Sequence, residues 1–200
     1  MILKILNKKK GVVEKALQFI LEVLYSYTTV LLSVNGYKEL EKKFDMVLGL
    51  EVDFENAFQE FTDQLKNRFY VPFYWEDLYS IGACLRKIFN LLIMYYNKAL
   101  IYRNEISYRV LLKTHLELFD NTKSFLREYL KNRKYSQELL KNNRHLLKSY
   151  LRSYFELVNS RLQDTHSFER FYEIRELFEK MITEHENINN LLNKILIGIE

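Results

Sequence analysis

Residues 78–99 read LYSIGACLRKIFNLLIMYYNKA. Leu78, Ile81, Leu85, Ile88, Leu92, Tyr95 and Ala99 recur in it at alternating steps of three and four. That spacing keeps one apolar seam on a helix, facing a partner in a left-handed bundle. The same alternation runs without error through Val13, Leu17, Ile20, Leu24, Tyr27, Leu31 and Val34. Breakers between such runs are few. Asn35-Gly36, Val71-Pro72, Asn104, Asn132–Lys134 and Asp164–Ser167 are the expected joints, Val71 because a residue before proline is pushed out of helical geometry. They leave six runs of about 25 to 33 residues each, and the expected fold is all-α with six long helices.

Composition narrows the classes of function. With 48% hydrophobic residues in 200, the chain can bury a core without staples. A single Cys, Cys84, excludes a disulfide framework and a Cys-based zinc site within the chain. Residues 1–100 carry 13 Lys and Arg against 12 Asp and Glu, and residues 101–200 carry 17 against 14, so neither half is a polybasic nucleic-acid module. No Gly-rich phosphate loop and no Ser/His/Asp motif in recognisable context is present, and the expectation is a non-enzymatic protein. The longest charge-free stretch, Val23–Tyr37, is 15 residues long and holds two Ser, two Thr, Asn35 and Gly36. A spanning helix needs about 20 mainly apolar residues. No transmembrane segment or signal peptide is therefore expected. The expected location is the cytoplasm, with peripheral contact at the inner face of a membrane as an option.

The chain repeats itself. Asn97-Lys98-Ala99-Leu100-Ile101 returns as Asn193-Lys194-Ile195-Leu196-Ile197, an offset of 96, and Leu78, Ile81 and Leu85 then fall on Ile174, Leu177 and Met181. One domain over 1–200 is expected, built from two duplicated three-helix units at approximately 8–103 and 104–198. The seams break at a few positions. Leu40, Phe44, Val47, Phe54, Phe58, Phe61 and Leu65 share theirs with Glu51, while Ile174, Leu177, Met181, Ile188, Leu191 and Ile195 share theirs with Glu184. Asn142-Asn143-Arg144-His145 interrupts a third. A carboxylate on an apolar seam is costly unless it is paired, protonated or metal-bound, or reaches solvent at the edge.

Phe69-Tyr70-Val71-Pro72-Phe73-Tyr74-Trp75-Glu76-Asp77-Leu78-Tyr79-Ser80 resembles the entry to the third helix in the divergent PhoU-like family, with its Thr-Pro-Phe-x-x-Glu-Asp-Ile signature. Ile174-Arg175-Glu176-Leu177-Phe178-Glu179 and Asn190-Leu191-Leu192 are similar to that family's closing segment. These proteins are phosphate-transport regulators found beside Pit-type phosphate transporters. The resemblance implies a non-enzymatic regulator or accessory that binds the transporter's cytosolic face. It also implies acidic motifs that hold iron or zinc clusters, because carboxylates four residues apart share a helix face.

Here those motifs are degenerate. Glu51, Asp53 and Glu55 keep the acids of the second helix, and Glu179 and Glu186 survive on the sixth. Arg86, Lys87 and Asn90 stand where the third helix should be acidic; Asn143 and His145, beside Arg144, do so on the fifth, and Thr183 and Asn187 on the sixth. The expectation is that ion pairs replace the metal, Glu51 and Glu55 with Arg86 and Lys87, and Glu184 and Glu186 with Arg144 and His145. No cofactor is then expected. Iron or zinc on Glu51, Glu55, Glu179 and Glu186 is the alternative, as is a zinc-binding contact between His145 and His185. Cys84 is expected to be a buried structural thiol. Lys141, Arg144, Lys148 and Arg152 form a basic stripe, solvated by default and otherwise suited to an acidic partner or to lipid headgroups. A helical scaffold, able to form homo-oligomers through exposed apolar strips, is the remaining reading.

Overall fold

A computed structural model describes residues 2–66, 75–102, 108–128, 132–161 and 168–198. They form α1 (Ile2–Leu32), α2 (Tyr37–Lys42), α3 (Phe44–Lys66), α4 (Trp75–Tyr102), α5 (Arg109–Glu128), α6 (Arg133–Arg161) and α7 (Phe168–Ile197), and hold no strand. The fold is all-α. The joints at Val71-Pro72, Asn104 and Asp164–Ser167 lie outside the described residues, as do Phe69–Tyr74 of the third-helix signature.

The two described joints have local causes. After α1, the Glu39 carboxylate accepts the Asn35 N–H at 2.7 Å, and Gly36 offers its carbonyl to the first N–H groups of α2. Before α6, Asn132 Oδ1 accepts the Tyr135 N–H at 3.1 Å, an N-cap. One helix more than expected is present, because the second run is split. The Lys43 N–H bonds back to the Leu40 carbonyl at 3.1 Å, a tightened i to i+3 turn that ends α2. The buried rhythm carries across the break, since Leu40, Val47, Phe54 and Phe61 are all buried at steps of seven. Phe44, placed on the seam by spacing, is 47% exposed, whereas Val47, Phe54, Phe58 and Phe61 are buried.

The other seams close as their spacing requires. Every seam position from Val13 to Val34 and from Leu78 to Ala99 is buried. α4 packs along α7, α1 along both α3 and α5, and α6 against α5 and α7. The α4–α7 pair is antiparallel: Asp77, Lys87 and Lys98 meet Lys194, Glu184 and Glu173 in descending order. α4 is long and apolar enough, by length and composition, to cross a membrane, and half of its apolar stretch is buried in the bundle.

Aromatic rings fill the centre. In the first half, Phe54 stacks on Phe89 at 3.8 Å between centroids and Tyr27 meets Phe89 edge-on at 5.2 Å. α3 approaches α4 at Gly82, where a Cβ would overlap the buried Phe61 ring. Gly82→Ala is therefore expected to cost about 1–3 kcal/mol through overpacking, offset in part by about 1 kcal/mol of helix propensity. Phe61→Leu in the same chain should recover part of the loss. Urea melts of the two single variants and the double variant check this coupling.

Candidate functional site

The carboxylates singled out by sequence lie on α3 and α7, each in a different setting. Arg86 on α4 donates to both oxygens of Glu55 on α3, at 2.8 and 3.2 Å, and its guanidinium lies 4.6 Å from the centroid of the Phe58 ring. Both partners are exposed, so this pair is worth at most about 1 kcal/mol. Lys87 does not turn to Glu51 or Glu55. It crosses to α7 and meets Glu184 at 3.0 Å. Beneath it the Cys84 thiol is buried, and burial first, then the Glu184 carboxylate, pushes it up to about 12. A thiol so placed stays protonated and packs as an inert small apolar group.

Glu51 is half-buried near the hydroxyls of Tyr27 and Tyr96. Burial raises its carboxyl, and its charge helps raise both phenols after their own burial. No ion pair joins it to a described residue. Glu179 accepts hydrogen bonds from Tyr154 and Arg175, which hold its carboxyl below the usual range against the opposing effect of burial. Glu186, Arg144 and His145 are exposed and form no ion pair with one another, so the expected second-half pairing does not form. The reason is register. Glu184 sits on the side of α7 that faces α4, whereas Arg144 and His145 lie on the outer side of α6. Among the described residues no three His, Cys, Asp or Glu side chains converge as a metal would require.

Two further pairs flank Lys87–Glu184, and the spacing of the apolar residues did not single them out. Lys194 meets Asp77 at 2.7 Å, and Lys98 meets Glu173, which also accepts from the Tyr102 hydroxyl. The offset of 96 carries Asp77 onto Glu173 and Lys98 onto Lys194. The two outer pairs thus exchange under the internal repeat, with Lys87–Glu184 between them.

His185 does not contact His145. It faces His115 of α5 in the core of the second half, where His115 Nδ1 and His185 Nε2 lie 2.9 Å apart. His115 Nε2 lies 3.2 Å from the Tyr150 hydroxyl, which is also 3.2 Å from the Phe178 carbonyl oxygen. One proton arrangement satisfies all three contacts. Tyr150 donates to Phe178, His115 Nε2–H donates to Tyr150, and His185 Nε2–H donates to His115 Nδ1. Both rings are then neutral. Burial moves His115 down to about 3, and burial with the neighbouring His115 moves His185 down as well. Periodicity could place His115 and His185 on inward faces but could not pair them across helices.

An open cleft of about 590 Å³ lies between α3 and α4, with Phe58, Leu65, Tyr79 and Arg86 in its walls. Its size suits a small ligand, although its polar groups do not converge on one point.

The histidine pair makes the fold acid-labile in a defined direction. Both rings have lowered values in the folded state, so the unfolded chain binds more protons below its ordinary value near 6.5. Stability is greatest above pH 6.5 and falls as pH drops towards 3, by up to about 1.4 kcal/mol per pH unit for His115, with His185 acting in the same direction. Thermal melts from pH 8 to 4 on the wild-type chain and on His115→Phe/His185→Phe check this, the variant having the flatter acid limb. For the carboxylates, Arg86→Met is expected to shift stability by less than about 1 kcal/mol. Glu51→Gln should hold or raise the melting temperature at pH 7, because it removes a charge that burial disfavours.

No protein-family profile matches the chain, and no curated protein matches it.

Proposed function

We propose that this chain is a PhoU-like accessory protein of phosphate transport that works without a metal cluster. In this reading it is two duplicated three-helix units closed on one another, about 8–103 and 104–198. The observation that carries it is the α4–α7 seam, where Asp77–Lys194 and Lys98–Glu173 are images of each other under the offset found in the sequence. A duplicated unit closing on its own copy produces such reciprocal pairs, since each contact occurs once in each direction. The Pro-Phe-x-x-Glu-Asp element supports the family. The regulatory role follows from the family likeness and from no feature of the fold alone.

The chemistry supports a binding role over catalysis. Glu55, Glu184 and Glu179, three carboxylates of the acidic helices, are each held by a cation of the same chain, Arg86, Lys87 and Arg175. A carboxylate paired in this way has its charge offset by a side chain, which weakens its attraction for an ion. The protein would reside in the cytoplasm, peripheral to the membrane, against a Pit-type transporter. A second reading, a scaffold that pairs with further copies of itself, is favoured by one feature. Phe44, Leu48 and Val52 are exposed at steps of four on one face of α3.

The test is phosphate uptake in a transport-deficient bacterial host expressing a Pit-type transporter, with and without this chain. Uptake is expected to change when the chain is present, and the chain to co-purify with the transporter. Unchanged uptake with no co-purification overturns the proposal. Stoichiometric iron or zinc in protein purified without chelator, lost in Glu51→Ala, would restore the metal-binding reading instead.

A further inference from the structure

Lys134, Lys141, Arg144, Lys148 and Arg152 lie on one face of α6 at helical spacing, and all five are exposed. His145 and Phe155 share that face and are also exposed. The face runs for about 30 Å along the helix axis. The opposite side of α6, with Leu139, Leu140, Leu147, Tyr150 and Tyr154, is buried in the bundle, so the cations point outward. Only Arg152 has a partner among the described residues, Glu156 at 3.0 Å. Glu138 stands one turn from both Lys134 and Lys141 and pairs with neither. On the α4–α7 seam, by contrast, Lys87, Lys98 and Lys194 each meet an acid. The unmatched positive charge on α6 is therefore a local property, in a chain whose net charge is only +4.

We infer that this face of α6 docks on the anionic headgroup surface of a lipid bilayer. A single exposed helix ridge is convex and has no groove to enclose a peptide or a small anion. A row of cations one turn apart fits a plane of negative charge, each near the surface adding to the attraction. Phe155, 58% exposed, stands one turn past Arg152 and gives the row an apolar anchor for the headgroup boundary. An exposed aromatic ring at that position has no corresponding use along the phosphates of a nucleic-acid duplex.

The test is flotation of the full chain with phosphatidylcholine vesicles, with or without phosphatidylglycerol. Binding is expected to the mixed vesicles alone and to weaken as salt is raised. Lys141→Glu/Arg144→Glu/Lys148→Glu should lose binding by at least about a hundredfold. Phe155→Ser should retain binding at low salt and lose it at a lower salt concentration than wild type. Lys15→Glu/Lys38→Glu/Lys42→Glu makes the same change in net charge at exposed sites elsewhere and should keep most of the binding. Circular dichroism checks that both triple variants remain helical. No binding to phosphatidylglycerol vesicles overturns the inference, as does equal loss in the two triple variants. Retention on duplex DNA with no binding to vesicles would assign the stripe to nucleic acid and overturn it too. Vesicles hold no transporter, so this result stands apart from phosphate uptake.

Discussion

The seam between α4 and α7 is the constraint that the rest of the molecule follows. Both helices are close to thirty residues long, and each offers an apolar stripe that water must not see. Apolar packing alone leaves the register loose, since a heptad-like stripe can slide by one repeat and still bury its residues. The ion pairs remove that freedom. Asp77–Lys194, Lys87–Glu184 and Lys98–Glu173 are met together only when the helices run antiparallel in a single register. Each pair contributes little net energy, because at least one partner is well exposed. Their use is to make slipped arrangements worse, by leaving Asp77 buried without a cation and Lys87 over an apolar position.

Once α4 and α7 are fixed, the two halves fill their cores differently. The offset that matches Leu78 to Ile174 also sets Phe89 opposite His185 in the repeat. In the first half, Phe89 packs on Phe54 and Tyr27, and its ring needs no partner for a proton. His185 has nearly the same flat shape but brings two nitrogens into a place with no water, where an unmet donor or acceptor costs about 1–3 kcal/mol. His115 answers one nitrogen, Tyr150 answers His115, and the Phe178 carbonyl answers Tyr150. The chain of contacts is thus what one polar ring requires of its neighbours. It also gives the second half its distinct response to acid, since a proton added to either ring would place a charge in a fully buried site.

Much of this was legible in the residues, and the physical reason separates what was from what was not. A seam is a local property of one helix, so the spacing in residues 13–34 and 78–99 identified core positions that are all buried. Glu51 and Glu184 stood out for the same reason, as acids in apolar rows. Partnership is not local. It depends on how far one helix is shifted along another, which explains why Lys87, expected to face Glu51 and Glu55 of α3, meets Glu184 of α7 instead. The Lys43 turn leaves no mark in the sequence, because one tightened hydrogen bond needs no Pro or Gly, and Phe44 just past it is exposed. His115 and His185, seventy residues apart, carry no shared motif. Only the packing of α5, α6 and α7 brings them together.

The sorting of charge then links fold to function. Where α3, α4, α6 and α7 meet, Glu55, Glu184, Glu179 and Asp77 each meet a cation of the same chain. On the outer face of α6 only Arg152 meets an acid, and four cations remain without a partner among the described residues. Random surface composition would mix the two signs on every face, and self-repulsion along one helix opposes such a row by a few tenths of a kcal/mol per pair. A sequence that matches its charges so closely along one interface, yet leaves them unmatched along a ridge of about 30 Å, has placed its long-range attraction in one direction. Attraction of that kind acts over roughly a Debye length, about 8 Å at physiological salt. On the proposed reading it orients the molecule towards a negatively charged surface before any specific contact forms.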